Sequence, residues 1–199
     1  MGDLSADAPL VGVLALQGDF EAHRRVLERL GATAREVRAP ADLDGLDGLV
    51  IPGGESTTMT LGVEREGLGE PLRALSARGV PILGSCAGLI MLDREHLGIV
   101  DMLAERNAFG RQVRSFEANL SVKGMGGRPL RVSFIRAPWI AEHGPAVEIL
   151  AELDGRAVAA REGRVLAVAF HTELSPDDRI HLMFLADVAA ARRGARSFG

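Results

Sequence analysis

Short apolar runs separated by helix-like segments constrain this chain more than any other feature. Leu10 to Leu16, Gly48 to Ile51, Val80-Pro81-Ile82-Leu83 and Val165 to Phe170 contain only apolar residues, glycine and proline. A strand with one wet face alternates; runs like these need cover on both faces. Between them lie amphipathic stretches. Phe20 to Leu30 reads as a helix that Gly31 stops, Thr33 to Arg38 as a strand, and Glu70 to Arg78 as a helix ended by Gly79. This βαβα order predicts an α/β fold: three layers, with a mainly parallel sheet flanked by helices. The pattern changes after Leu97. Arg114 to Lys123 alternates weakly, Gly124 to Gly127 makes a turn, and Leu130 to Ile135 alternates again. Val147 to Leu153, Ala157 to Arg161 and Arg164 to Phe170 read as strands joined by tight Asp154-Gly155 and Glu162-Gly163 turns. An antiparallel portion is therefore added to the parallel core. Arg179 to Ala191 closes the pattern as a helix, with Ile180, Met183, Phe184 and Val188 at core spacing.

With 199 residues, 47% of them hydrophobic, the chain is expected to form one domain over residues 1–199, with loose ends at 1–9 and 192–199. A formal net charge of −4, with both signs spread along the chain, argues against a nucleic-acid binder. One cysteine precludes an internal disulfide and suits a reducing, cytoplasmic setting. Met1 to Pro9 has no basic or long apolar segment, so a secretory signal is not expected, and the broken apolar runs predict no membrane span.

That cysteine, Cys86, sits in Gly84-Ser85-Cys86-Ala87-Gly88, between the run ending at Leu83 and a second run, Leu89 to Leu92. Strand, Gly-x-Cys-x-Gly corner and helix read as a nucleophile elbow with sulfur in place of a hydroxyl. The flanking glycines allow a crowded turn, and the helix N-terminus favours a reactive sulfur. His171, at the end of the run through Phe170, is the candidate base. Glu173 shares its parity along an extended chain, so its carboxylate can fix the imidazole tautomer. Cys86, His171 and Glu173 thus supply nucleophile, base and orienting group. His23, His96, His143 and His181 are dispersed, and with no second cysteine a zinc site is not expected. A third element is Leu49-Val50-Ile51-Pro52-Gly53-Gly54-Glu55-Ser56-Thr57-Thr58, a strand leading into a flexible glycine pair and then hydroxyl residues suited to cap a helix. Its glycines can turn an N–H toward a developing oxyanion, although an ordinary loop would look the same. The phosphate-loop ending in Gly-Lys-Ser/Thr is missing.

The elbow together with Phe170-His171-x-Glu173 resembles the class I, triad-type glutamine amidotransferases, which share a flavodoxin-like architecture. More narrowly, Gly12 to Gly18, Pro52-Gly53-Gly54-Glu55-Ser56-Thr57-Thr58-Met59, Glu105-Arg106-Asn107-Ala108-Phe109-Gly110-Arg111-Gln112, Ser115-Phe116-Glu117 and Phe134-Ile135-Arg136-Ala137-Pro138 resemble the glutaminase subunits of pyridoxal 5′-phosphate synthase, over Leu10 to about Val188. The resemblance implies hydrolysis of L-glutamine through a glutamyl thioester on Cys86, without a cofactor or metal. It implies glutamine binding by Gly54, Glu55, Ser56, Arg106, Ile135 and Arg136, and an oxyanion site at Gly53, Gly54 and the Ala87 N–H. It also implies ammonia delivery to a synthase barrel subunit in a large hetero-oligomer, twelve plus twelve in the family pattern, with Gln17 coupling partner docking to the oxyanion loop. The chemistry is consistent, since a zwitterionic amino acid needs both a cation and an acceptor. Thr172 stands where the family usually has proline, and Asp93 to Leu97 is shorter than in many relatives. A different glutaminase subunit, such as that of imidazole glycerol phosphate synthase, a non-catalytic module and a cysteine peptidase are the competing readings.

Overall fold

The computed structural model describes residues 8–106 and 115–196. Its elements are β1 (Leu10–Leu14), α1 (Phe20–Arg29), β2 (Thr33–Val37), β3 (Gly48–Ile51), α2 (Ser56–Arg65), α3 (Gly69–Ala77), β4 (Ile82–Ser85) and α4 (Ala87–Leu92). There follow β5 (Met102–Glu105), β6 (Ser115–Leu120), β7 (Leu130–Ile135), β8 (Trp139–His143), β9 (Glu148–Leu153), β10 (Arg156–Glu162), β11 (Val165–Val168) and α5 (Arg179–Arg196). Strands β2-β1-β3-β4-β11 are parallel neighbours. The sheet continues antiparallel through β10, β8 and β5, with β9 also paired to β10. Strands β6 and β7 form a separate antiparallel ribbon. The mainly parallel sheet with an antiparallel addition is therefore the architecture found.

The central strands β3, β4 and β11 are buried along their whole length, as their unbroken apolar sequences require. Ile51 lies beside Gly84, and Ser85 beside Val168, so these three strands finish at one edge of the sheet. Parallel strands place the loops after their carboxyl ends together, where such sheets hold ligands. Helix α4, with all six residues buried, packs on β3, β4 and β11 just below that edge.

Several boundaries differ from the sequence reading. Strand β11 stops at Val168, opposite Ser85 at the end of β4; beyond it Ala169 N–H still bonds the Val158 carbonyl of β10 at 2.8 Å, and His171 N–H bonds Ser133 at 2.9 Å. The second hairpin turn is Gly163-Arg164, since Glu162 pairs with Val165. The first is Asp154-Gly155 as expected, with φ of 52° and 74° at the two positions. Strands β5 and β8 carry no clear alternation and were not expected; they form by pairing with each other. Helix α5 runs to Arg196, so Arg192 to Arg196 belong to it rather than to a loose tail. Residues 1–7, 107–114 and 197–199 lie outside the described residues, and with them Asn107 to Gln112 of the Glu-Arg-Asn string.

Candidate active site

The elbow forms at the end of β4. Cys86 has φ 50° and ψ −106°, a conformation that costs a non-glycine residue energy and is found where the surroundings impose it. Here Cys86 N–H is held by the Val168 carbonyl at 2.8 Å. A side chain on Gly88 would run into the Ile51 carbonyl, and one on Gly84 into Leu92 and the Gly88 backbone. The glycines on either side of Cys86 are thus required by packing.

His171 reaches Cys86 from the neighbouring strand end. Its anchor is the bridge to Ser133 on β7, supported by Phe116 stacked on Phe134 at 4.9 Å and Phe134 edge-on to Phe170 at 5.7 Å. His171 Nδ1 lies 2.6 Å from Glu173 Oε1. An ionised carboxylate only accepts, so Nδ1 carries a proton toward Glu173 and Nε2 is the ring nitrogen left for the thiol. Glu173 is the carboxylate that meets His171, but a turn after His171 presents it rather than an extended strand. Burial disfavours charge on His171, yet hydrogen bonds with Cys86 and Glu173 outweigh it and raise the imidazole from 6.5 to about 10. Burial likewise opposes ionisation of Glu173, but His171 and His23 hold its carboxyl well below the usual range.

Cys86 and His171 face an open cleft of about 460 Å³ that also gathers Gln17, Gly54, Glu55, Ser56, Ala87, Arg106, Ile135 and Arg136. All the sequence-predicted site residues but two line this one cleft. Gly53 is beside it: a Cβ there would fall 2.6 Å from His171 Cε1 and 3.3 Å from Cys86 Cβ, so the Pro-Gly-Gly backbone passes over the reacting pair. Glu173 lies behind His171, with its side chain fully buried. Ile135 ends β7 and Arg136 follows it, with the Ile135 carbonyl 3.8 Å from Cys86 Sγ and Arg136 held at φ 45°.

One part of the cleft differs from expectation. The cap of α2 is Glu55, not the hydroxyl residues after it: its carboxylate accepts the N–H groups of Thr57 at 3.0 Å and Thr58 at 2.7 Å. Bonds from Thr58 and Thr57 lower Glu55 from 4.5 to about 2, so it stays ionised at the mouth of the cleft. Arg106 is tied to the same helix start through Thr57 Oγ1 at 3.3 Å. The short Asp93–Leu97 segment is organised by buried Asp93, which accepts His96 Nδ1 at 2.7 Å and Ala104 N–H at 3.2 Å. That last bond fixes β5, the strand that delivers Arg106.

Sequence reasoning passed over His23 and His181. Both are fully buried, with His23 Nδ1 3.0 Å from His181 Nε2, and His23 Nε2 3.1 Å from Ser85 Oγ and 3.2 Å from Glu173 Oε2. A signal was present: His23 shares the inward stripe of α1 with Val26 and Leu27. Among the described residues, Asp19, His171 and Glu173 also bring three possible metal ligands within 4.8 Å of one another. His171 Nδ1 is already bonded to Glu173 and Asp19 is exposed, which fits a base–orienter pair beside a surface carboxylate better than a metal centre. A second opening of about 420 Å³, lined by Asp47, Arg78, Arg164 and Arg192, contains none of the candidate site residues. No helix among the described residues is long and apolar enough to cross a membrane.

A pyridoxal 5′-phosphate synthase subunit PdxT of Acidothermus cellulolyticus is 51% identical over 204 residues, covering 96% of this chain and 99% of the relative. One bearing the same name from Geobacillus kaustophilus is 50% identical, covering 92% and 96%. A crystal structure of a glutamine amidotransferase superimposes with a TM-score of 0.84 at 44% identity, covering 90% of this chain and 98% of the other. A structure of PurLQS from Thermotoga maritima shares the fold, with a TM-score of 0.70 at 17% identity and coverage of 92% and 97%. The model of the SNO glutamine amidotransferase family matches residues 13–190, and the chain belongs to that family.

Proposed function

We propose that this protein hydrolyses L-glutamine to L-glutamate and passes the ammonia to a pyridoxal 5′-phosphate synthase barrel subunit, in the synthesis of vitamin B6. The observation that carries the reading is the His171–Glu173 pair, bonded at 2.6 Å, beside Cys86 at a cleft that holds both an Arg and an ionised Glu. With the proton of the Cys86–His171 pair already resting on His171, Cys86 sulfur attacks the side-chain amide carbon of glutamine. The tetrahedral intermediate collapses as His171 returns that proton to the departing nitrogen, which leaves as ammonia. Water then adds to the glutamyl thioester with His171 as base, releasing glutamate and the free thiol. Glu173 stabilises the imidazolium in both steps. Arg106 or Arg136 pairs with the α-carboxylate, and Glu55 accepts from the α-ammonium with the lone pairs its capping bonds leave free. Ser56, Gly54 and Ile135 complete the walls.

The oxyanion falls to backbone N–H groups of the Gly53-Gly54 region and of Ala87. That loop is tied to the segment after β1: Glu55 N–H donates to Gln17 Oε1 at 2.7 Å, and Asp19 N–H to the Gly53 carbonyl at 3.3 Å. Gly54 sits at φ 154°, where a side chain would strike Gln17 Oε1. A partner that moves Gln17 therefore moves the oxyanion loop. One such donor is worth about 2.7–4 kcal/mol of barrier, so activation on the order of 100-fold is available. The experiment is steady-state glutamine hydrolysis with and without saturating barrel subunit, for wild type and Gln17→Ala. Activation that is strong in wild type and weakened in Gln17→Ala is expected; equal activity in all four conditions contradicts the coupling. Activation by a different synthase, with a different product, would reassign the pathway.

A further inference from the structure

We propose that His23 is a positioning residue for this reaction: from α1 its Nε2–H holds the inner carboxylate oxygen of Glu173, and His181 on α5 sets the tautomer that makes this possible. The inference rests on the glutamine-hydrolysis reading of the cleft.

The carboxylate of Glu173 is fully buried, and only Oε1 is used by His171. Oε2 has no well-directed hydrogen bond among the described residues; His23 Nε2 faces it at 3.2 Å. A buried carboxylate oxygen left without a donor is costly, and Glu173 would then be free to rotate away from His171. The proton positions follow from the contacts. Ionised Glu173 can only accept, so His23 carries its proton on Nε2, shared between Glu173 and Ser85 Oγ. His23 Nδ1 is then a bare acceptor, and His181 Nε2 at 3.0 Å must donate to it. His181 Nδ1 has no partner among the described residues, as suits a nitrogen without a proton. Burial lowers His181 from 6.5 to about 3, which keeps it neutral. The groups that bear on Glu173 and its histidines are Asp19 before α1, His23 and Arg29 on α1, Ser85 and Cys86 at the elbow, His171, and His181 on α5. Two helices distant in sequence thus meet behind the triad and hold its orienting residue.

The test compares His23→Leu, His23→Asn and His23→Gln in the complex with the barrel subunit. Leu has no donor, Asn places its amide too short to reach Glu173, and Gln places an N–H near the position of Nε2. The Leu and Asn variants should lose about tenfold or more in kcat, with KM moved less, and Gln should recover part of the loss. Without the His23 proton Glu173 ionises less readily, so the acid-side fall in activity should move to higher pH in Leu and Asn. The rate of Cys86 alkylation by iodoacetamide should show the same displacement. Nitrogen-15 NMR of labelled histidines should report Nε2–H for His23 and His181. Folded, partner-binding Leu and Asn variants with kcat within about twofold of wild type and unmoved profiles overturn the proposal. If Leu does not fold, equal Asn and Gln variants overturn it, as does an Nδ1–H tautomer at His23. If the wild-type complex does not hydrolyse glutamine, the functional reading fails by itself; the alkylation profile and NMR still decide the role of His23.

Discussion

The two halves of the sheet do different work. The parallel half, β2-β1-β3-β4-β11, is short-stranded and buried throughout along β3, β4 and β11, and it ends in the elbow, the Gly53-Gly54 turn and the His171 segment. The antiparallel half and the β6-β7 ribbon carry exposed charge along their strands, including Glu117 paired with Arg131 and Arg94 paired with Asp101 beside β5. They bring Arg106, Ile135 and Arg136 to the cleft. On the proposed reading, the bond-making groups and Glu55 stand at the end of the parallel half, while the arginines that can pair with the substrate α-carboxylate stand on a more exposed rim. Damage to the first half should appear in kcat, and damage to the second in KM.

The largest effect expected is at the elbow. Cys86→Ser should abolish glutamine hydrolysis while leaving the fold and partner binding intact, since the hydroxyl is close in shape but needs a far stronger base. Circular dichroism and co-elution with the barrel subunit establish the controls. Next, His171→Ala should lower kcat by about 10²–10⁴-fold and Glu173→Ala by less, because an orienting group acts through the base. A His171→Ala variant with near-normal turnover at saturating glutamine would place the base elsewhere.

On the other half, Arg106→Ala and Arg136→Ala test recognition. The variant that loses the α-carboxylate partner should raise KM about ten- to hundredfold, the worth of a hydrogen bond to a charged group, with kcat changed less. If both variants lowered kcat alone, the division between the halves would break.

The contrast between the halves also explains what the sequence revealed. Leu49 to Ile51, Val80 to Leu83 and the Gly-x-Cys-x-Gly corner are local signals: burial on both faces demands uniform apolar runs, and a strained turn demands small neighbours. Strands β5 and β8 lack such a signal because their partners define them, with Met102 paired to His143 and Glu105 to Trp139. Glu55 was read as a substrate group, while its capping role depends on how the chain enters α2. His23 and His181 are separated by 158 positions, so only the folded chain brings them together.

The smallest effect expected is on stability. His171 is raised from 6.5 to about 10, so its contribution is full below pH 6.5 and is lost as pH rises through about 10. Glu173 is lowered from 4.5, so its contribution is full above that value and is lost as pH falls through its folded value. The melting-temperature gap between wild type and Glu173→Gln should therefore be widest between pH 4.5 and 6.5 and narrow on both sides. A gap constant with pH would show that the pair does not carry charge in the folded protein.

The claim that the parallel half holds the reacting sulfur is tested most directly with a glutamine-derived diazoketone on the complex with the barrel subunit. Mass spectrometry of the digested protein locates the label while residual glutaminase activity is followed in parallel. One label per chain on Cys86, with activity lost in proportion and L-glutamine protecting, is the predicted result. Full labelling of Cys86 with activity intact, or full inactivation with Cys86 unlabelled, would contradict it.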